Sequence, residues 1–151
     1  MPGSNDPEQL DLFATASKVV ALSTLDAPAP DASTITMTEI VFPSQVNPHG
    51  TLFGGIALQW MDQAAWLAAT RFARKTFVTI ASERIEFKKP VYEGDIVVLR
   101  AHVLRVGRTS VTVEVNLNAE NPRTGEEHLA TRGEFALVAL DDKGNPTPVL
   151  G

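Results

Sequence analysis

Cysteine is absent from the 151 residues, which removes disulfides, thiolate nucleophiles and thiolate metal ligands from consideration. The three histidines, His49, His102 and His128, have no spacing typical of metal ligands, so no metal is expected; no separate cofactor is expected either. No apolar run approaches the ~18–20 residues of a membrane-spanning helix. Positive charge is in deficit: 13 Lys and Arg stand against 18 Asp and Glu, for a net charge of −5. That balance argues against a nucleic-acid surface, but leaves room for a local cluster drawn from Arg84, Lys88, Lys89, Arg100, Arg105 and Arg108. Met1 to Asp11 lacks the basic and apolar regions of a secretory signal, and a cytoplasmic location is the expectation.

What is present has the balance of an ordinary globular domain, with 44% hydrophobic and 21% charged residues. Residues 23–33 are rich in Ala, Pro and Asp and read as a linker. Ahead of them, Pro7 to Leu22 reads either as a short amphipathic helix using Leu10, Phe13, Val19 and Val20 or as a disordered arm. We therefore divide the chain into an arm, residues 1–33, and one domain, residues 34–151. Within the domain, Ile35, Met37 and Val41 indicate a first strand, and Pro43 to Phe53 a loop. A helix follows from Ile56 to Arg74, apolar almost all round and so expected to be wrapped by other structure. Four β-like segments come next: Phe77 to Phe87, Asp95 to Val106, Ser110 to Glu120 and His128 to Leu140. The third alternates cleanly, Val111, Val113, Val115, Leu117 and Ala119 against Thr112, Glu114, Asn116, Asn118 and Glu120. The expected fold is α+β, one antiparallel sheet wrapped around one central helix.

One residue breaks the helix pattern. Asp62 is the single acid among apolar neighbours, and Gly55, Leu58, Ala65, Trp66 and Ala69 share its face. Aspartate is a poor helix former, and a carboxylate without a partner is costly to bury. Gly54 and Gly55, just before the expected helix, offer bare backbone N–H groups to an oxygen of a ligand. A water-activating acid beside an oxyanion-binding helix start accounts for both features. A structural aspartate bonded within the core, and glycines serving close packing, are the competing readings.

Several short pieces, in order and spacing, carry a resemblance. They are Asn47-x-x-Gly50-x-x-Phe53-Gly54-Gly55, Trp60-Met61-Asp62, Val78-Thr79, and Phe87-x-x-Pro90-Val91 with Gly94-Asp95. Gly107-Arg108-Thr109-Ser110 and Val138-Ala139-Leu140-Asp141 with Gly144-Asn145-Pro146 complete the set. Over about residues 34–149 the chain resembles the hotdog-fold acyl-CoA thioesterases, in particular the bacterial YciA-like and cytosolic brain-type hydrolases.

The resemblance implies a five-stranded sheet around the helix and dimers whose sheets join edge to edge, assembled into trimers of dimers. It also implies hydrolysis of acyl-CoA to free acid and CoA at a dimer-interface site. On it, Asp62 becomes general base or attacking carboxylate. Asn47 positions water or the thioester carbonyl, and the Gly54 and Gly55 backbone polarises that carbonyl. Arg108, Thr109 and Ser110 correspond to the region that meets CoA. Lys88 and Lys89 read as phosphate contacts or a charged strand end, His49 as a carbonyl donor or an exposed loop residue, and Glu83 as a supporting acid or a partner of Arg84. A hydratase would need a histidine on the helix, where Leu67 stands instead. An aryl-CoA thioesterase of the PaaI-like branch and a non-catalytic acyl-CoA sensor are the alternatives. Acyl length depends on how Trp60, Trp66 and Phe72 pack, which periodicity does not reveal.

Overall fold

The computed structural model describes residues 34–151; the arm and its candidate helix lie outside the described residues. The elements are β1 (Ile35–Ile40), α1 (Gly54–Ala73), β2 (Thr76–Phe87), β3 (Ile96–Val106), β4 (Ser110–Glu120) and β5 (Glu127–Leu140). The strands form one sheet in the order β1-β3-β4-β5-β2, with every neighbouring pair antiparallel. This is the expected α+β architecture, and its strand limits lie within a residue of those read from the pattern.

Strand β4 lies at the centre, and its alternation decides which face of the sheet is the core. Val111, Val113, Val115, Leu117 and Ala119 are all buried. Val97, Leu99 and Ala101 of β3 join them on that face, as do Phe135, Leu137 and Ala139 of β5. Against them packs a helix face made mostly of small residues, Ala57, Ala64, Ala65, Ala68 and Ala69, with Trp60 and Met61 filling the remaining volume. Alanines let the helix lie close to the sheet and favour helix at the same time.

One expectation about the helix needs correction. It begins at Gly54, so the glycines form its first turn and do not precede it. Phe53 is the capping residue: its carbonyl accepts from the N–H groups of Ile56 and Ala57, both at 3.1 Å. No Ser, Thr, Asp or Asn marks that start, which is why the sequence pattern missed it. As expected, the one sheet wraps around the helix; it covers one face, and Trp66 on the opposite face is 44% exposed in the single chain.

Strand β2 forms one edge of the sheet and is irregular at two places, between Thr79 and Ala81 and between Glu83 and Glu86. At the second, Arg84 takes a left-handed φ of 53°, and the chain gains a residue opposite Gly133. Arg84 pairs loosely with Glu134 at 3.7 Å, and no ion pair with Glu83 forms. Ile85 lies directly over Gly133: a Cβ built there would overlap its Cδ1 and stand 3.4 Å from Met61 Cε. Gly133→Val should therefore cost about 1–3 kcal/mol through overpacking. The check is a urea midpoint that falls while the transition slope is unchanged.

Candidate active site

Asp62 projects from α1 beside β2, where the Thr79 hydroxyl donates to its Oδ1 at 2.6 Å. Thr79 is in phase with the buried Phe77, so both face the helix before the first irregularity of β2 shifts the pattern. One turn further along α1, the Trp66 indole N–H donates to the Phe77 carbonyl at 3.3 Å. These are two rungs between helix and strand, separated by four residues on one and two on the other. Asp62 Oδ2 accepts no hydrogen bond among the described residues and is left to meet water or substrate.

A slot of about 470 Å³ opens over this face, lined by Met37, Asp62, Gln63, Trp66, Leu67 and Thr79. Met37 comes from β1 and Thr79 from β2, the two opposite edges of the sheet. The sheet thus curls until both edges overhang the same side of the helix. The size is that of a small-molecule site, and the lining combines an apolar wall with a single carboxylate.

The helix start faces a different cavity, of about 250 Å³, whose lining includes Thr51, Gly54, Phe87, Lys88, Lys89 and Thr131. The N–H groups of Gly54 and Gly55 have no acceptor among the described residues, so positive dipole and lysine charge converge there. The N–H groups of Lys88 and Lys89 both donate to the Ala130 carbonyl, at 2.7 and 3.2 Å, which fixes the end of β2 against β5. Lys88 also meets Glu86 at 2.9 Å, and its hydrogen bond holds that carboxyl below the usual carboxylate range.

Asn47 organises its own loop. Its Oδ1 accepts from the N–H groups of His49 (2.9 Å) and Thr51 (3.2 Å), and its Nδ2 donates to Thr51 Oγ1 at 2.9 Å. Gly50, with φ 79°, completes the turn by donating to the Asn47 carbonyl. One amide hydrogen of Asn47 remains for another acceptor. The His49 side chain is exposed.

Arg108, Thr109 and Ser110 line neither cavity. They form the β3–β4 turn, which is held from two sides: Val149 N–H near the end of the chain donates to Arg108 O, and Ala139 N–H of β5 donates to Thr109 O, each at 2.9 Å. Of the six basic residues considered for a cluster, Arg84 and Arg105 share Glu134, Lys88 has Glu86 and Arg100 has Glu127. Lys89 and Arg108 are the two without an ion pair among the described residues.

The structure thus brings Gly54, Lys88 and Lys89 together, and sets Asp62 and the Arg108 turn apart from them. Gly54 and Asp62 are eight residues apart on one straight element, about 12 Å along its axis. Thr79 was missed in the sequence as a site residue. A threonine in a strand looks like ordinary β propensity, and only its register against α1 brings it to Asp62.

A five-stranded antiparallel sheet curled over one long helix is the hotdog fold. The family model of the thioesterase superfamily matches residues 49–126. An uncharacterised acyl-CoA thioester hydrolase of Bacillus subtilis, YkhA, is 38% identical over 117 residues, spanning 78% of this chain and 68% of that one. Among solved structures, the chain is similar to the acyl-CoA hydrolase of Staphylococcus aureus in complex with butyryl coenzyme A and coenzyme A. There the TM-score is 0.76 at 32% identity, covering 80% of this chain and 73% of that one. An apo-hexameric acyl-CoA thioesterase gives 0.76 at 36% identity, covering 79% and 76%. The chain belongs to the thioesterase superfamily.

Proposed function

We propose that the protein hydrolyses the thioester of acyl-CoA to a free carboxylic acid and CoA, with Asp62 as the reacting carboxylate. The observation that carries this reading is the Thr79–Asp62 hydrogen bond inside a slot whose other walls are Met37, Trp66 and Leu67, with Gln63 the one further polar residue. One carboxylate oxygen is fixed by the hydroxyl, and the other is presented to a water, or directly to the thioester carbon. A second observation supports it. The aspartate, threonine and asparagine each replaced by alanine in structures of the S. aureus hydrolase are spaced along that chain as Asp62, Thr79 and Asn47 are here.

Donors for the carbonyl oxygen must lie within about 3 Å of it. Gly54 and Gly55 of the same helix are too far from Asp62 to meet that limit. The reading therefore requires a second copy, whose Asn47 loop and helix start face the slot of the first. Strand β2 offers the means: it is an edge, and it exposes Val78 and Ile80 beside Thr79. Pairing of two β2 edges would carry each Thr79–Asp62 unit toward the other copy's loop, and relatives with hexameric structures support further assembly into a trimer of dimers. CoA phosphates are assigned to Lys88, Lys89 and Arg108, with Thr109 and Ser110 at the turn. The proposed reaction assigns no step to a cofactor or a metal. Among the described residues no group of three or more potential metal ligands occurs. No helix among them is long and apolar enough to cross a membrane. A cytoplasmic location, where acyl-CoA is made and used, belongs to the same reading.

The direct test is CoA release, followed with a thiol reagent, across a panel from acetyl-CoA to palmitoyl-CoA with benzoyl-CoA included. Turnover of the aliphatic members supports the reading. Turnover of benzoyl-CoA alone would move the protein to an aryl-CoA activity, and binding without release would make it a sensor.

Arg108 allows a sharper test of the CoA assignment. Arg108→Ala should lose a charge-assisted contact of roughly 1.5–3 kcal/mol, appearing mainly in KM. The same variant should act nearly normally on an N-acetylcysteamine thioester, which has no phosphate. Equal losses on both substrates would show that the turn itself had been damaged.

A further inference from the structure

The slot has a feature that hydrolysis itself does not use. Trp66 lies four residues beyond Asp62, about 6 Å along the helix axis and on nearly the same face. Its ring forms part of the wall with Met37 and Leu67, and its N–H is bonded to the Phe77 carbonyl. Half-exposed tryptophans normally have rotamer freedom; this one is tied at its far end to the same strand that carries Thr79.

We propose that Trp66 is the residue that limits acyl-chain length, standing as a fixed wall one helical turn from the reacting carboxylate. The inference rests on the thioesterase reading above. A thioester carbonyl held at Asp62 sends its acyl tail into the apolar part of the slot, because that is where CoA's charged portion cannot go. In the direction of Trp66, a tail of a few carbons reaches the indole face and gains apolar contact from it. A longer tail must displace the ring, which breaks the bond to Phe77 O and loosens the strand that positions Thr79. Contact therefore favours short and medium chains, and the tether penalises long ones. The preferred substrate class is short- to medium-chain aliphatic acyl-CoA.

The test compares kcat/KM for butyryl-, octanoyl- and palmitoyl-CoA in the wild type, Trp66→Ala and Trp66→Phe. Trp66 is partly exposed and packs on few core residues, so both variants should fold; circular dichroism and a melting curve check this. The ratio of palmitoyl to butyryl turnover should rise at least about tenfold in Trp66→Ala, the scale on which a pocket discriminates by methylene content. Trp66→Phe keeps a ring but loses the tether, and should shift the ratio in the same direction by less. If Trp66→Ala scales all three substrates equally, the inference fails while the thioesterase reading stands. If Trp66→Phe matches the wild type, the tether has no part in it and the proposal fails in that form. A wild type that releases CoA from none of the three overturns the thioesterase reading and this inference together.

Discussion

Asp62→Asn will lower kcat by ~10²–10⁴ while leaving acyl-CoA binding close to that of the wild type. The substitution is nearly isosteric, and the Thr79 hydroxyl can still donate to the amide oxygen, so the geometry of the slot is kept. What disappears is the second oxygen's ability to take a proton from water or to attack the thioester carbon. On the proposed reading, binding is assigned to groups elsewhere, at the Lys88–Lys89 cavity and the Arg108 turn. Rapid-quench turnover and equilibrium binding of a non-hydrolysable acyl-CoA analogue measure the two separately. A variant that keeps more than about a tenth of wild-type kcat removes Asp62 from the chemistry.

Mixing two dead proteins will restore activity. Asn47→Ala and Asp62→Ala homodimers should each be nearly inactive, since every site in them lacks one group. In a mixed dimer, one site lacks both and the other is intact, provided the asparagine of one copy serves the aspartate of its partner. Random reassortment of equal amounts gives about half mixed dimers, each half active, so roughly a quarter of wild-type activity returns. Co-expression with two affinity tags isolates the mixed species. If a verified mixed dimer stays dead, the two residues do not share a site across the interface. A single chain supplies the reason to look to a partner: Gly54 and Asp62 stand about 12 Å apart along one helix, so the Gly54 N–H cannot reach a carbonyl held at its own Asp62.

Different parts of the sequence are legible to different degrees. Strand β4 could be read almost residue by residue. It is the central strand, with its core face apolar at every second position, so nothing competes with the period of two. Asp62 stood out for a similar reason, as one charge in an apolar helix. Three things were hidden. The helix start was displaced because Phe53 caps it through its carbonyl, which leaves no side-chain signature. The exposure of Trp66 was hidden because an apolar face kept for a partner or a substrate has the same period as one kept for the sheet. Thr79 was hidden because its role depends on the register of β2 against α1, a relation between distant residues that no local pattern contains. The roles of Asn47, Arg108 and the lysines came from resemblance, and the loop bonding of Asn47 shows why geometry alone would read it as a turn residue first.

The unpaired edge of β2 has a consequence for how the protein lives in time as well as in space. If each reaction centre is assembled from two chains, a newly synthesised chain has none. Its hydrolytic capacity then appears only on encounter, and scales with the square of its concentration until the edges are filled. A cell making few copies would leave its acyl-CoA pool untouched, and one making many would cross a threshold. With the site shared in that way, the same edge would act as a delay, separating synthesis of the chain from the onset of thioester loss.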